Sequence, residues 1–315
     1  MKKMVLKRRG ITLTVIFLLL IFLLLTGCSK KTGDIVKDSE GFPVHIVDDM
    51  GRNVVIDREP QRIISLAPSN TEILFALNLG ERIVGVTEYC DYPQEANNKE
   101  KIGGFSTPNI EKVISLNPDL VIATSMHQKA VEELERLGVP VIVLFPKKVS
   151  DVLKNITLIG RATGQEDVAE GLVKDLKARM DAVTDKTGKI PEGKRPRVYY
   201  EVWHDPLITA GPDTFVDDLI TLAGGINIAG DSKSSYPEIS LEVVIQKDPQ
   251  IFIYSHHGDS RQDIGQIYSR QNWQDISAIK DRKIYTIDQN LVQRGTPRLV
   301  DGLEELAKML HPDLF

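Results

Sequence analysis

Apolar residues along this chain fall into short β-rich runs that alternate with stretches in which they recur every three or four positions. Such alternation is the pattern of an α/β chain. Strands are predicted over Ile63 to Leu66, Ile83 to Val86, Leu120 to Ala123 and Val139 to Leu144, then again over Arg197 to Tyr200, Ile251 to Tyr254 and Lys283 to Ile287. Helical spacing falls between them at Gln128 to Leu137, Thr214 to Ala223, Leu241 to Lys247 and Pro297 to Leu310. The two groups of strands fit two α/β lobes of Rossmann-like type better than one long sheet. Between them, Val152, Leu153, Ile156 and Ile159 form a helical face, Gly164 interrupts it, and Val168, Leu172, Val173, Leu176, Met180 and Val183 resume it. A 20-residue helix starting at Gln165 would be about 30 Å long, enough to cross a small domain. A rigid helix joining the lobes makes hinge motion cost helix bending, so closure of small amplitude is expected.

One internal echo accompanies the two-lobe reading. Asn109 to Ile122 can be laid against Ser240 to Ile253 without a gap, each reading as cap residue, short helix, proline turn and strand. Proline cannot continue helical hydrogen bonding, so each short helix must stop there. Duplication and a common α-to-β connection both explain the match.

The amino-terminal pattern is of another kind. Lys2, Lys3, Lys7, Arg8 and Arg9 precede the apolar run Ile11 to Leu25, which is shorter than the roughly 20 residues of a bilayer span. The run ends at Leu25-Thr26-Gly27-Cys28, similar to a bacterial lipoprotein signal cleaved before the cysteine. The expected organisation is a signal over residues 1–27, a polar tether over 28–42, a first lobe over 43–149, an interlobe helical segment over 150–185 and a second lobe over 186–315. Cys28 would carry the lipid, and the body would sit outside the cytoplasm. Removing the five basic residues of the signal leaves 34 Lys and Arg against 44 acidic residues, a formal charge of −10. So acidic a body argues against nucleic acid as a partner. Cys90 is then the one thiol besides Cys28, which leaves neither an internal disulfide nor a cysteine metal cage.

Within Arg62 to Leu77, the segment Ala67-Pro-Ser-Asn-Thr-Glu72 places a carboxylate at the start of a helix that follows a strand. Ser69 can cap that helix with Glu72 at its third position, each side chain satisfying a backbone donor. In the second half Ser240 can cap the next short helix, with Glu242 in its first turn. Helix capping and a two-point docking surface for a partner's arginines both fit these residues, and composition does not choose between them.

Arg62 to Leu77, Gly85-Val-Thr-Glu-Tyr-Cys-Asp-Tyr-Pro93, Lys101-Ile-Gly-Gly104, Leu116 to Ile122 and Ala223-Gly-Gly-Ile-Asn227 together resemble the substrate-binding proteins of bacterial iron-chelate and vitamin B12 ABC importers. The resemblance runs in order from Arg62 to the carboxyl end. It implies two α/β lobes joined by a long rigid helix, a ligand cleft between them, and delivery of cargo to a membrane permease served by cytoplasmic ATPase subunits. It also implies that one glutamate from each lobe, matched here by Glu72 and Glu242, meets arginines on the transporter. A monomer is expected, with no catalytic role.

Loops at strand ends supply the candidate cleft residues: Tyr89, Asp91, Tyr92 and Phe105 from the first half, and Trp203, Tyr236, His256, His257, Asn290 and Arg294 from the second. Aromatic rings in such loops suit a large planar ligand. The B12-binding branch is the closest in Asp91-Tyr-Pro93, Tyr236-Pro237 and Asn290 to Arg298, although Phe105-Ser-Thr-Pro108 lacks the tryptophan that branch carries after Ser-Thr. A corrinoid is therefore the expected cargo, with haem or a ferric siderophore as alternatives. His256 and His257 could ligate a cargo metal, and at most one of two adjacent residues would face the cleft. No resident metal site is assigned, since no compact ligand spacing announces one. An enzyme is the competing class, but the chain carries no Gly-rich phosphate loop, nucleophile elbow or His-Glu-x-x-His signature. A scaffold role would predict no saturable small-molecule binding.

Overall fold

Strands β1 (Val44–Val47) and β2 (Asn53–Ile56) pair as an antiparallel hairpin that the patterns above did not include. Its period-2 alternation buries Val44, Ile46, Val54 and Ile56 and leaves the residues between them in water. The protein is described here by a computed structural model over residues 41–255 and 264–315. At the hairpin turn the buried Asp48 carboxylate accepts from Arg52 Nη2 at 2.6 Å and from the Val143 backbone at 3.0 Å. Asp49 next to it accepts from the Phe145 backbone at 2.6 Å and from Asn155 Nδ2 at 2.9 Å. The hairpin thereby fixes the corner where the first sheet ends.

That sheet is fully parallel, in the order β4-β3-β5-β6, from β3 (Ile63–Ser65), β4 (Ile83–Val86), β5 (Leu120–Thr124) and β6 (Val141–Leu144). Its strands are buried almost throughout, as parallel sheets covered on both faces must be. Helices α1 (Pro68–Ala76), α2 (Ile110–Ser115) and α3 (Gln128–Arg136) connect them. Helix α1 starts two residues before the expected position, with Ala67 as N-cap and no side-chain cap. Proline's fixed φ suits the first helical position and wins over the Ser69 cap. The expected Ser69–Glu72 capping box therefore does not form, and Glu72 lies in the second turn with its carboxylate directed elsewhere.

Helices α4 (Val149–Thr163) and α5 (Glu166–Thr187) follow as a pair broken at Gly164, whose φ of 69° sits in the left-handed region. They pack so closely that a Cβ on Gly160 would lie 2.4 Å from that of Ala169. At the start of the pair's turn, Arg82 of the first lobe donates to the Thr163 carbonyl at 3.0 Å. At the far end of α5, Thr187 donates to the Leu222 carbonyl of the second lobe at 2.8 Å. With 22 residues, α5 spans about 33 Å. The expected two α/β lobes joined by a long helix are thus present.

The second sheet has the order β11-β10-β7-β8, with β9 also beside β7. It comprises β7 (Arg197–His204), β8 (Leu207–Thr209), β9 (Ile226–Asn227), β10 (Ile251–Tyr254) and β11 (Ile284–Thr286); β8 alone runs antiparallel. Its helices are α6 (Phe215–Leu222), α7 (Leu241–Lys247), α8 (Ile264–Tyr268), α9 (Ser277–Lys280), α10 (Gln289–Val292) and α11 (Leu299–Leu310). Strand β7 continues four residues past the expected end at Tyr200, so Trp203, expected in a strand-end loop, lies within the strand. Glu201 is buried there, its carboxylate held by Arg270 at 2.5 and 2.8 Å. The echo between the halves extends to the backbone. Asn109 and Ser240 each cap a short helix, and Asn117 (φ 46°) and Asp248 (φ 40°) occupy the same left-handed position before proline. Strands β5 and β10 then start at equivalent residues, each flanked by β3 and β6 or by β7 and β11.

Candidate functional site

Loops leaving the carboxyl ends of both sheets line one cleft of about 700 Å³ between the lobes, where open α/β sheets place their ligands. In the first lobe Ala67 to Ser69 follow β3, Tyr89 follows β4, Phe105 and Ser106 precede α2, Thr124 to Met126 close β5, and Leu144 to Pro146 end β6. The second lobe contributes Phe215 at the start of α6, Tyr236 ahead of α7, and Gln289, Asn290 and Gln293 to Gly295 in and after α10. Tyr89, Met126, Phe145 and Tyr236 are between 47 and 63% exposed. Rings left in water on both walls of one cleft mark a surface made to be covered.

Five sequence candidates, Tyr89, Phe105, Tyr236, Asn290 and Arg294, meet on these walls. Trp203 does not: it projects near the β7–β8 hairpin tip, with its indole N–H donating to the Asp205 carbonyl. His256 and His257, like Cys28, lie outside the described residues. Phe145, Pro146 and Phe215 were not singled out from sequence. Below the cleft, Gln293 Nε2 donates to Tyr200 Oη at 2.9 Å, and the Tyr200 phenol bonds the Ser255 hydroxyl. Burial pushes the Tyr200 phenol up to about 12, so it stays protonated. Cys90, beneath the Tyr89 loop, is a small buried thiol against Thr71 and Thr87.

His127 braces the cleft wall. Its Nε2 donates to the Phe105 carbonyl (2.7 Å) and its Nδ1 accepts from the Thr124 backbone N–H (3.1 Å), which fixes one neutral tautomer and leaves neither nitrogen for a metal. Burial lowers its pKa, outweighing the Phe105 bond that raises it. A folded pKa below the unfolded one means the unfolded chain binds protons first, so stability falls as pH drops below about 6.5. Acidification from pH 7.5 to 5.5 should lower the melting temperature of the wild type more than that of His127→Gln. Equal shifts in both would show that this ring is not the sensor.

Charged groups from the two lobes meet at one edge of the cleft. Glu72, its side chain 2% exposed, accepts from Arg298 Nε and Nη2, both at 2.7 Å, and lies 3.5 Å from Arg294 Nη1. Arg294 reaches Asp91 at 2.8 Å, and Arg298 lies over the Tyr92 ring, 3.8 Å from its centroid. Partial burial raises the Asp91 pKa, but the hydrogen bond and charge of Arg294 outweigh it and hold this carboxyl below its usual value. Glu242 is the opposite case: exposed in the first turn of α7, its pKa is lowered by its own backbone N–H and by Ser240.

The family model described as periplasmic binding protein matches residues 63–291, which span the strands of both sheets. The chain belongs to the periplasmic binding protein family. As a periplasmic binding protein it works outside the cytoplasm as the non-catalytic component of an ABC importer, alongside a permease and its ATPase. An uncharacterized ABC transporter substrate-binding lipoprotein of Bacillus subtilis, YvrC, is 35% identical over 319 residues, 98% of this chain and 99% of that one. The vitamin B12-binding protein of Vibrio cholerae is 30% identical over 253 residues, 79% of this chain and 89% of its own. The crystal structure of BtuF, the periplasmic vitamin B12 binding protein of Vibrio cholerae, superposes with a TM-score of 0.70 at 29% identity, covering 80% of this chain and 97% of that one. The periplasmic heme-binding protein RhuT of Roseiflexus sp. RS-1, in apo form, gives 0.71 at 28%, covering 81% and 99%.

Proposed function

We propose that this periplasmic binding protein captures a corrinoid in the interlobe cleft and hands it to the permease of its importer. The observation that carries this reading is the set of exposed rings facing the cleft from both lobes, Tyr89 and Phe145 on one side and Tyr236 on the other. They offer flat apolar contact to a macrocycle while its polar periphery stays in water or meets Asn290, Gln293 and Arg294. Likeness to the vitamin B12-binding proteins supports the choice of cargo. In this reading Cys28 carries a lipid that holds the body at the membrane, and Glu72 and Glu242 address the permease. Titration of the full chain in detergent with cyanocobalamin, cobinamide, haemin and a ferric siderophore tests it. One-to-one binding of the first two, each recovered unchanged, is expected; saturation by haemin alone would move the cargo to a porphyrin.

A further inference from the structure

A carboxylate meant for a membrane partner's cation should be open to it, yet the Glu72 carboxylate is buried and both its oxygens are held by Arg298. The glutamate comes from α1 of the first lobe and the arginine from the start of α11 in the second, 226 residues apart. Arg294 extends the cluster across the gap a second time, to Asp91 at 2.8 Å. The other ion pair between the lobes among the described residues, Lys147–Asp213, is looser at 3.5 Å and exposed on both sides. We propose that Glu72, Asp91, Arg294 and Arg298 form an ionic latch that holds the two lobes closed in the free protein, and that Glu72 becomes available to a partner only when Arg298 has let it go. The second half of this statement rests on the docking reading of Glu72; the first does not.

The surroundings fit a latch. A charge-assisted bidentate pair screened from water is stronger than an exposed one, and Arg298 is held from below by the Tyr92 ring. A separate cavity of about 580 Å³ opens against Glu72, Tyr92 and Arg298, with Glu81 and Glu95 on its wall. A guanidinium arriving there finds acidic walls and an aromatic face, and can take the Glu72 carboxylate in exchange for Arg298. No net ion pair is lost in that exchange, whereas the interlobe one is. Arg294 belongs both to this cluster and to the cargo cleft, so whatever touches Arg294 from the cleft also bears on the latch.

The test measures lobe separation in the cargo-free full chain. Spin labels on Lys129→Cys in the first lobe and Gln246→Cys in the second, both exposed positions, report the interlobe distance by double electron–electron resonance. Glu72→Gln and Arg298→Gln should each raise the population of longer distances by about tenfold, and the double variant should add little to either. Distributions that coincide with the wild type in folded Glu72→Gln and Arg298→Gln overturn the latch. If Glu72→Gln does not fold, Arg298→Gln decides alone, because its side chain is the more exposed. Docking is read separately as binding to permease-containing vesicles. An open Arg298→Gln that docks more tightly than the wild type supports the exchange, and opening without any gain limits Glu72 to the latch.

Discussion

Glu242→Arg will bring uptake close to background while the affinity of the protein for its cargo in solution stays within twofold of wild type. The reason is position: Glu242 is exposed on α7, is absent from the lining of the cleft, and leaves the capping of its helix to Ser240. Nothing in the cargo site depends on it; its carboxylate accepts only from its own backbone N–H and from Ser240 at the exposed start of α7, so the melting temperature should fall slightly and the fold should persist. On the proposed docking role, in which Glu242 faces an arginine of the permease, a like charge there should weaken docking by about 30-fold or more. Uptake assays in cells carrying the permease, beside titration of the purified variant, separate the two quantities. A parallel loss of cargo affinity would end the assignment of Glu242 to docking. Glu72 is not an equally clean probe of docking, because its removal also cuts the interlobe pair with Arg298.

The largest effect on stability is expected at Glu201. Its side chain is fully buried in β7, and Arg270, itself 15% exposed, meets it with both terminal nitrogens while lying 4.8 Å from the centre of the Trp273 ring. Glu201→Ala removes the two charge-assisted bonds that Arg270 donates to it and the buried carboxylate that balances its charge, a change that costs about 3–5 kcal/mol. For a domain of this size that corresponds to a drop in melting temperature of roughly 10 °C. Removing both charges, as Glu201→Ala with Arg270→Met, should return a large part of the loss, since apolar replacements of buried pairs are often tolerated. Calorimetry on the two variants decides the matter. A single variant that melts with the wild type would show that packing, and not the pair, holds this corner.

Parallel strands and their helices were readable because burial on both faces writes them as unbroken apolar runs. Ile83 to Val86, Leu241 to Lys247 and Ile251 to Tyr254 have the same bounds in the pattern and in the fold. Reading failed where a charge lies inside an element. Glu201 looks like the end of β7, although the strand continues through it because Arg270, 69 residues later, neutralises it. The β1–β2 hairpin went unread because its strands are four residues long, exposed Val47 and Val55 blur the alternation of its four buried positions, and its turn is tied by the Asp48 carboxylate. At the cleft, Tyr89, Phe105 and Tyr236 were visible as aromatics in polar loops, whereas Phe145 merges into the apolar run of β6 and Phe215 into that of α6. Ring type does not identify them; their place just past a parallel strand or at the head of a cleft-side helix would have. The ionic cluster has no local signature, because its acids and its arginines are more than 200 residues apart.

The joint between α5 and α11 has a mechanical corollary. Arg179, midway along the long helix, grips Glu304 with two bonds of 2.9 Å and Asp301 with one of 2.6 Å. Asp301 sits three residues beyond Arg298 on α11, so the arm carrying that arginine is riveted to the spine less than one helical turn away. Play at the rivet would appear as misalignment at the tip, and the tightness with which Arg298 meets its target is set in part by a triad that touches neither cargo nor partner.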